Sequence, residues 1–257
     1  MKNFSVSRAA TAAITALLVS IALANLLSGC AQTVESKPAF EQQMQSGQIP
    51  PAISQFFGNN AQLLHPGKEG QAAMVYLNPN AQWTTYTKIY LQPVQYWDVP
   101  DSKLSKEDAQ TLTTYFYNQL HETLAKNFTM VDQPGPGVLV IYVALMNATG
   151  ATPVLRTVSV VVPQVRILNG AQSLATGSYA FVGSAEAEMK ALDGGTGEFL
   201  AGAVDQRAGG MALSTAAQWQ WGDAENAMNY WSDKISSRLL ELQGRAPQTQ
   251  QAESGQP

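Results

Sequence analysis

Cysteine is almost absent from this chain: Cys30 is the only one among 257 residues. A single thiol cannot close a disulfide within the chain, and it cannot supply a cysteine metal site. We therefore expect the apolar core alone to stabilise the folded part. The hydrophobic share of 45% is ordinary for a globular protein and sufficient for such a core.

Histidine is also scarce, with His65 in a predicted turn and His121 in a predicted helix. No zinc-ligand spacing and no Gly-x-Ser-x-Gly nucleophile elbow occurs. The glycines at 194, 195 and 197 precede a strand pattern, whereas a phosphate loop needs a following helix. We predict no catalytic residue, no metal site and no cofactor.

Charged residues make up only 13% of the chain, and acidic ones dominate, with 19 against 15 basic ones. Two of the basic residues, Lys2 and Arg8, lie in an N-terminal leader that has no acid. The rest of the chain then has 13 basic residues and a net charge of −6. This balance argues against nucleic acid as a partner.

The leader carries the most specific pattern in the chain. From Ala9 to Gly29 no residue is charged, and the run ends in Leu27-Ser28-Gly29-Cys30. A positive start, an apolar centre and small residues before a cysteine are typical of a bacterial lipoprotein signal, or lipobox. The alternative is a permanent transmembrane helix, since about 20 residues span a bilayer.

On the lipoprotein interpretation, residues 1–29 are a signal peptide, and Cys30 is acylated and holds the protein on a membrane. Ala31 follows the cysteine, where an aspartate would favour retention in the inner membrane. We therefore expect attachment to the periplasmic face of the outer membrane. Residues 30–52 are rich in Gln, Ser and Pro and are predicted to be a flexible tether, and 244–257 a disordered tail.

Residues 53–243 are expected to form one domain. The clearest helices are Ser105–Lys126, with Ser105 as N-cap, and Asp223–Leu242. The unbroken apolar run Val138–Val143 predicts a central strand, and a hairpin is predicted from Ser178–Leu192 and Phe199–Arg207. This order predicts an α+β two-layer sandwich, with a mixed or antiparallel sheet and two amphipathic helices on one face.

Several polar or aromatic residues are candidates for a site. Asp205 and Arg207 could line a binding groove, or form an ion pair at the end of a strand. Trp219 and Trp221 could pack at a helix N-terminus, or form an exposed stacking platform. Glu186 and Glu188 share one face of the hairpin, which we expect to be wet. The apolar segment 149–177 either packs over the sheet or contributes to binding.

Four motifs resemble one known family, a bacterial family of putative lipoproteins described as domain of unknown function 3313. The resemblance runs from about Phe57 to Leu242. It implies an envelope lipoprotein without an assigned activity, cofactor or substrate. The motifs are Tyr86-x-x-Ile89-x-Leu91-x-Pro93-Val94-x-x-Trp97, Phe181-Val182-Gly183-x-Ala185-x-x-Glu188, Asp205-x-Arg207-Ala208-Gly209-Gly210 and Trp221-Gly222-Asp223-Ala224.

Two functions remain open from the sequence. The first is a non-catalytic interaction module that is anchored to the outer membrane and binds a partner protein, a lipid or a cell-wall component during envelope assembly or transport. The second is a hydrolase, for example one acting on peptidoglycan, that uses Glu186, Glu188 or Asp205. The missing catalytic motifs favour the first.

Overall fold

The computed structural model describes residues 33–35, 46, 48–97, 104–149, 183–209 and 221–245. Three α-helices lie in these ranges: α1 (Pro51–Phe57), α2 (Lys106–Ala125) and α3 (Gly222–Leu242). The strands, in chain order, are β1 (Thr33–Glu35), β2 (His65–Pro66), β3 (Met74–Leu77), β4 (Lys88–Leu91), β5 (Gln95–Tyr96), β6 (Thr129–Met130), β7 (Val138–Thr149), β8 (Ser184–Asp193) and β9 (Phe199–Gly209).

The strands of the described residues form one mixed sheet in the order β2-β3-β9-β8-β7-β4-β6. Its centre is the antiparallel meander β7-β8-β9, and β4 joins β7 in parallel. Two short strands extend the outer edges of this meander. β1 continues along β9 where β3 ends, and β5 continues along β7 where β4 ends.

Both long helices pack on the same face of this sheet. The leucine stripe of α2 is fully buried together with the odd-numbered residues of β7, such as Ile141 and Val143. In α3, Ala224, Met228 and Trp231 join the same core. Ser105 caps α2 as predicted, because its hydroxyl accepts a hydrogen bond of 3.0 Å from the Asp108 amide.

A smaller core lies on the opposite face. Here α1 and the following 3-10 turn (Gly58–Leu63) bury Ile53, Phe56 and Phe57 against the even-numbered residues of β7. Ala144 and Met146 contribute from that strand, so β7 is buried on both sides as its apolar run predicts. The sheet therefore has a covered second face, in addition to the predicted helix layer.

The turn between β8 and β9 is fixed by the Asp193 side chain. One carboxylate oxygen of Asp193 accepts hydrogen bonds from the amides of Gly195 and Thr196, at 2.8 and 2.7 Å. The Tyr86 hydroxyl donates to the other oxygen at 2.6 Å. These bonds lower the pKa of Asp193, with the Tyr86 bond contributing most.

The α+β prediction is confirmed, with the two long helices on one face. One prediction needs correction: Thr33–Glu35 form a strand, so the predicted tether is wrong at these residues. Pro93 lies in the break between β4 and β5. No helix in the described part of the chain is both long and apolar enough to cross a membrane.

Gly202 in β9 provides a test of the packing beneath α1. A Cβ atom at this position would lie 2.8 Å from the Phe199 ring and 2.9 Å from the Phe57 ring. We expect Gly202→Ala to lower the free energy of unfolding by about 1–3 kcal/mol, because both rings must move within a packed core. Chemical denaturation measures the difference.

Gly135→Ala is the matched control, since a Cβ atom there would have no neighbour within 4 Å. It should leave stability nearly unchanged. Equal stabilities for the two variants would contradict the described packing of Phe57 and Phe199 on β9.

Candidate functional site

The alternation of β8 and β9 divides their side chains between the two faces of the sheet. Glu188 is paired in register with Ala144 and Val204, which belong to the core beneath α1. Ala187 is paired with Asp205, which contacts α3. Residues paired across strands point to the same face. Glu186 and Glu188 therefore face α1, and Asp205 faces α3.

Glu188 is completely buried, with a relative exposure of 0%. Neither of its carboxylate oxygens has a hydrogen-bond partner among the residues that the structure describes. Burial, with a further contribution from Glu186, raises the pKa of Glu188 to about 8, although Lys190 opposes the shift. Burial also raises the pKa of Glu186 to about 7. The expectation of a wet, solvated pair is wrong, because α1 and its neighbours cover this face.

Lys190 continues the same row of side chains. Its ammonium donates to the Phe56 carbonyl and lies 4.5 Å from the centre of the Phe56 ring. It also lies 5.3 Å from the centre of the Tyr142 ring. Burial lowers the pKa of Lys190, while Glu188 partly offsets this effect. The row thus joins α1 to the sheet through partly desolvated charged groups.

Asp205 lies on the other face and is 6% exposed. The Trp231 indole N–H donates to its Oδ2 at 2.7 Å, and the Ala73 amide donates to its Oδ1 at 3.3 Å. Arg207 is 8% exposed, and its guanidinium carbon lies 4.1 Å from the centre of the Tyr230 ring. Both side chains are therefore held beneath α3, and neither is an exposed group at the strand end.

Trp221 is the residue before α3 and is only 6% exposed. Its indole N–H donates to Asp108 Oδ1 at 3.0 Å, which connects the first turn of α2 to the start of α3. An exposed stacking platform at Trp221 is therefore wrong. Trp219, the lipobox residues Leu27, Ser28, Gly29 and Cys30, and the segment 150–177 lie outside the described residues.

Three of the sequence motifs meet at the start of α3. Asp223 is 0% exposed, and its Oδ2 accepts a 2.7 Å hydrogen bond from the Gly183 amide. A Cβ atom on Gly209 would lie 2.2 Å from Asp223 Oδ1, so only glycine leaves room for this carboxylate. A carboxylate in the first turn also interacts favourably with the helix dipole. This junction is structural, because it fixes α3 over the ends of β8 and β9.

A cavity of about 830 Å³ lies between α3 and the sheet, and we call it the helix slot. Small side chains line its floor, while Trp231, Ile235 and Leu239 line the side formed by α3. The slot extends inwards as far as Phe116 and Ile141 and opens between α3 and the β2–β3 edge. The residues of the floor are Ala187, Ala191, Ala201 and Ala203. Asp205 also lines the slot.

The helix slot is mostly apolar, and its volume lies within the range of small-molecule sites. Small-molecule sites are concave, mostly apolar and about 300–1,000 Å³ in volume. By contrast, Glu186 and Glu188 lie on the opposite side of the sheet from Asp205. The three carboxylates therefore do not form one hydrolytic site.

The helix slot was not predicted from the sequence. The signal was present as the alternating alanines of β8 and β9, which indicated a small and apolar face. The distance between this face and α3 cannot be predicted from the alanine pattern. It depends on contacts between α3 and the sheet, including the Asp223 junction at the start of the helix.

Comparison with known proteins identifies a family match. The model of the family Protein of unknown function (DUF3313) matches residues 53–235. No curated protein sequence matches the chain.

Three solved structures have a similar arrangement at low identity. The PelC dodecamer from Paraburkholderia phytofirmans is 8% identical, with 65% of this chain and 95% of that chain covered and a TM-score of 0.32. A protein from Xanthomonas campestris of family DUF330 is 8% identical, with coverages of 65% and 90% and a TM-score of 0.36. A DUF4136 protein from Bacteroides thetaiotaomicron is 14% identical, with coverages of 63% and 95% and a TM-score of 0.29.

The buried carboxyl of Glu188 predicts how stability depends on pH. Between about pH 4.5 and pH 8 the folded protein keeps a proton that the unfolded chain releases, so stability falls as pH rises through this window. Each unit of pKa difference corresponds to about 1.4 kcal/mol. We expect Glu188→Gln to flatten the fall in melting temperature between pH 5 and about pH 8, because the amide does not ionise.

Glu122→Gln on the exposed side of α2 is the control, and it should keep the slope of the wild-type protein. Thermal melts across the pH range compare the three proteins. A Glu188→Gln slope equal to that of the wild-type protein would show that Glu188 is not held as a neutral, buried acid.

Proposed function

The chain belongs to the family of proteins of unknown function DUF3313, and from this premise we propose that it is an outer-membrane-anchored periplasmic lipoprotein whose domain binds a ligand without catalysing its conversion. The family resemblance seen in the sequence motifs is confirmed over residues 53–235. The family description assigns no activity. The proposed function therefore rests on this chain's own leader and on the helix slot.

The leader supports the anchoring part of the proposal. Leu27-Ser28-Gly29-Cys30 supplies a thiol for acylation directly after an uncharged run, and Ala31 supplies no retention signal. Burial of acyl chains contributes about 0.8 kcal/mol per CH₂ group, and two or more chains give stable attachment. Thr33 of β1 follows Cys30 by three positions, so the acylated cysteine would be joined to the sheet by only two intervening residues.

The helix slot is the observation that supports binding. Its lining is mainly apolar, and its one buried carboxylate, that of Asp205, is engaged with Trp231 and Ala73. A carboxylate that already accepts two hydrogen bonds from the protein is poorly placed to act as a general base. The arrangement is suited to enclosing an apolar group, with envelope components as the partners.

Metabolic labelling with radioactive palmitate tests the anchor. The wild-type protein should be labelled and should sediment with the outer membrane in a sucrose gradient. Cys30→Ala should carry no label, because it lacks the thiol that is acylated. Equal labelling of the two proteins would contradict acylation at Cys30.

Ala31→Asp separates acylation from sorting. This variant keeps Cys30 and should keep the palmitate label, but it should move to the inner-membrane fraction. If labelled Ala31→Asp and labelled wild-type protein both sediment with the inner membrane, the proposed location is wrong and the anchor is correct.

A further inference from the structure

We infer that the helix slot takes a single alkyl chain with an anionic head group, of which a long-chain fatty acid is the simplest example. This inference rests on the proposed function, because it names the ligand class of the site proposed there. It combines the shape of the slot, its apolar floor and the charges at its opening.

The slot is elongated along α3. Its α3 lining runs from Tyr230 to Leu242, which corresponds to roughly 18 Å of helix at 1.5 Å per residue. The alanine floor runs beneath this stretch and offers no side-chain hydrogen-bonding group. An extended alkyl chain matches a long, apolar slot, since burial of each CH₂ group is favourable and needs no polar partner.

The inner part of the slot is well shielded from water. Phe116 and Ile141 are each 1% exposed, and Leu239 is 8% exposed. These side chains are already packed, so the open part of the slot lies nearer the floor, where Ala187 and Ala191 are each 8% exposed. An alkyl chain over the floor would remove this apolar surface from water, so occupation should stabilise the fold.

The opening carries the groups that select the head group. Lys68 lies at the β2–β3 side and Lys234 at the α3 side, and both are exposed. Neither ammonium is in an ion pair with any residue that the structure describes. Arg238, also at the opening, is paired with Glu241 at 2.9 Å.

Three carboxylates line the slot as well, which limits where an anion can sit. Asp205 is held at the sheet by Trp231 and Ala73, and Glu241 is engaged by Arg238. Asp233 is exposed on α3 directly before Lys234. Lys68 and Lys234, which form no ion pair within the described ranges, thus provide the complementary charge for a carboxylate head group.

Photo-crosslinking tests the inference on the mature lipidated protein, which begins at Cys30, in nanodiscs of zwitterionic phospholipid. The probe is stearic acid with a diazirine in its chain, and mass spectrometry locates the crosslinked peptides. We expect crosslinks within 199–209 and 222–242. Crosslinks confined to other parts of the chain would overturn the inference.

Two variants and one control test the slot itself. Ala203→Phe fills the floor and should reduce crosslinking by about tenfold or more, equivalent to about 1.4 kcal/mol. Lys234→Glu reverses one charge at the exposed opening and should lower crosslinking of the probe, because the probe carries the same carboxylate head group. Ala125→Phe, on the exposed end of α2, should crosslink like the wild-type protein. Thermal melts establish that each variant is folded, and a folded Ala203→Phe with unchanged crosslinking would refute the slot as the site.

Competition by other amphiphiles tests the head group. Unlabelled stearate should displace the probe better than stearyl alcohol and better than an alkyl trimethylammonium of equal length. Equal or better displacement by the cation would refute the anionic head group. If an apolar peptide displaced the probe and the amphiphiles did not, the fatty-acid assignment would be refuted, but the proposed binding function would remain. The palmitate labelling of Cys30 is independent of all these results.

Discussion

The two-residue alternation of β8 and β9 is the constraint on which the rest of this structure depends. Because of this alternation, the alanines point towards α3, whereas Glu186, Glu188 and Lys190 point towards α1. Each side chain therefore belongs to one face of the sheet. A shift of register by one residue would exchange the two sets. It would place acids beneath α3 and close the helix slot. The register is reinforced at both ends of the hairpin, by the Asp193 turn and by the close packing of Gly209 against Asp223.

Each face of the sheet has a feature that lowers the stability of the folded protein, and selection for stability alone would not favour such a feature. On one face, Glu188 loses its hydration and receives no hydrogen bond from the described part of the chain. On the other face, the alanine floor leaves a cavity where larger side chains would pack more closely. Costs of this kind are typical of functional sites. The helix slot opens to solvent near Lys68 and Lys234, which form no ion pair with the described residues, and for this reason we assign binding to that face.

Local patterns predicted the elements well, because each is encoded within one segment. Ser105 and the leucines that follow it predict α2, and the apolar run from Val138 predicts β7. The environment of Glu188 was not predictable in this way, since it depends on α1, more than 130 positions earlier in the chain. The burial of Trp221 likewise depends on Asp108 in another helix. The motifs placed Asp205 and Arg207 correctly on one strand face, but their contacts with α3 are tertiary.

Ligand binding beneath α3 is tested most directly by NMR, with isotope-labelled alanine methyl groups on the mature lipidated protein in nanodiscs and stearic acid added. We predict intermolecular NOEs from the alkyl chain to the methyl groups of Ala187, Ala191, Ala201 and Ala203. We predict none to Ala144, which lies on the opposite face of the same sheet. NOEs to Ala144, or none to any of the four floor alanines, would contradict the assignment of ligand binding to the space beneath α3.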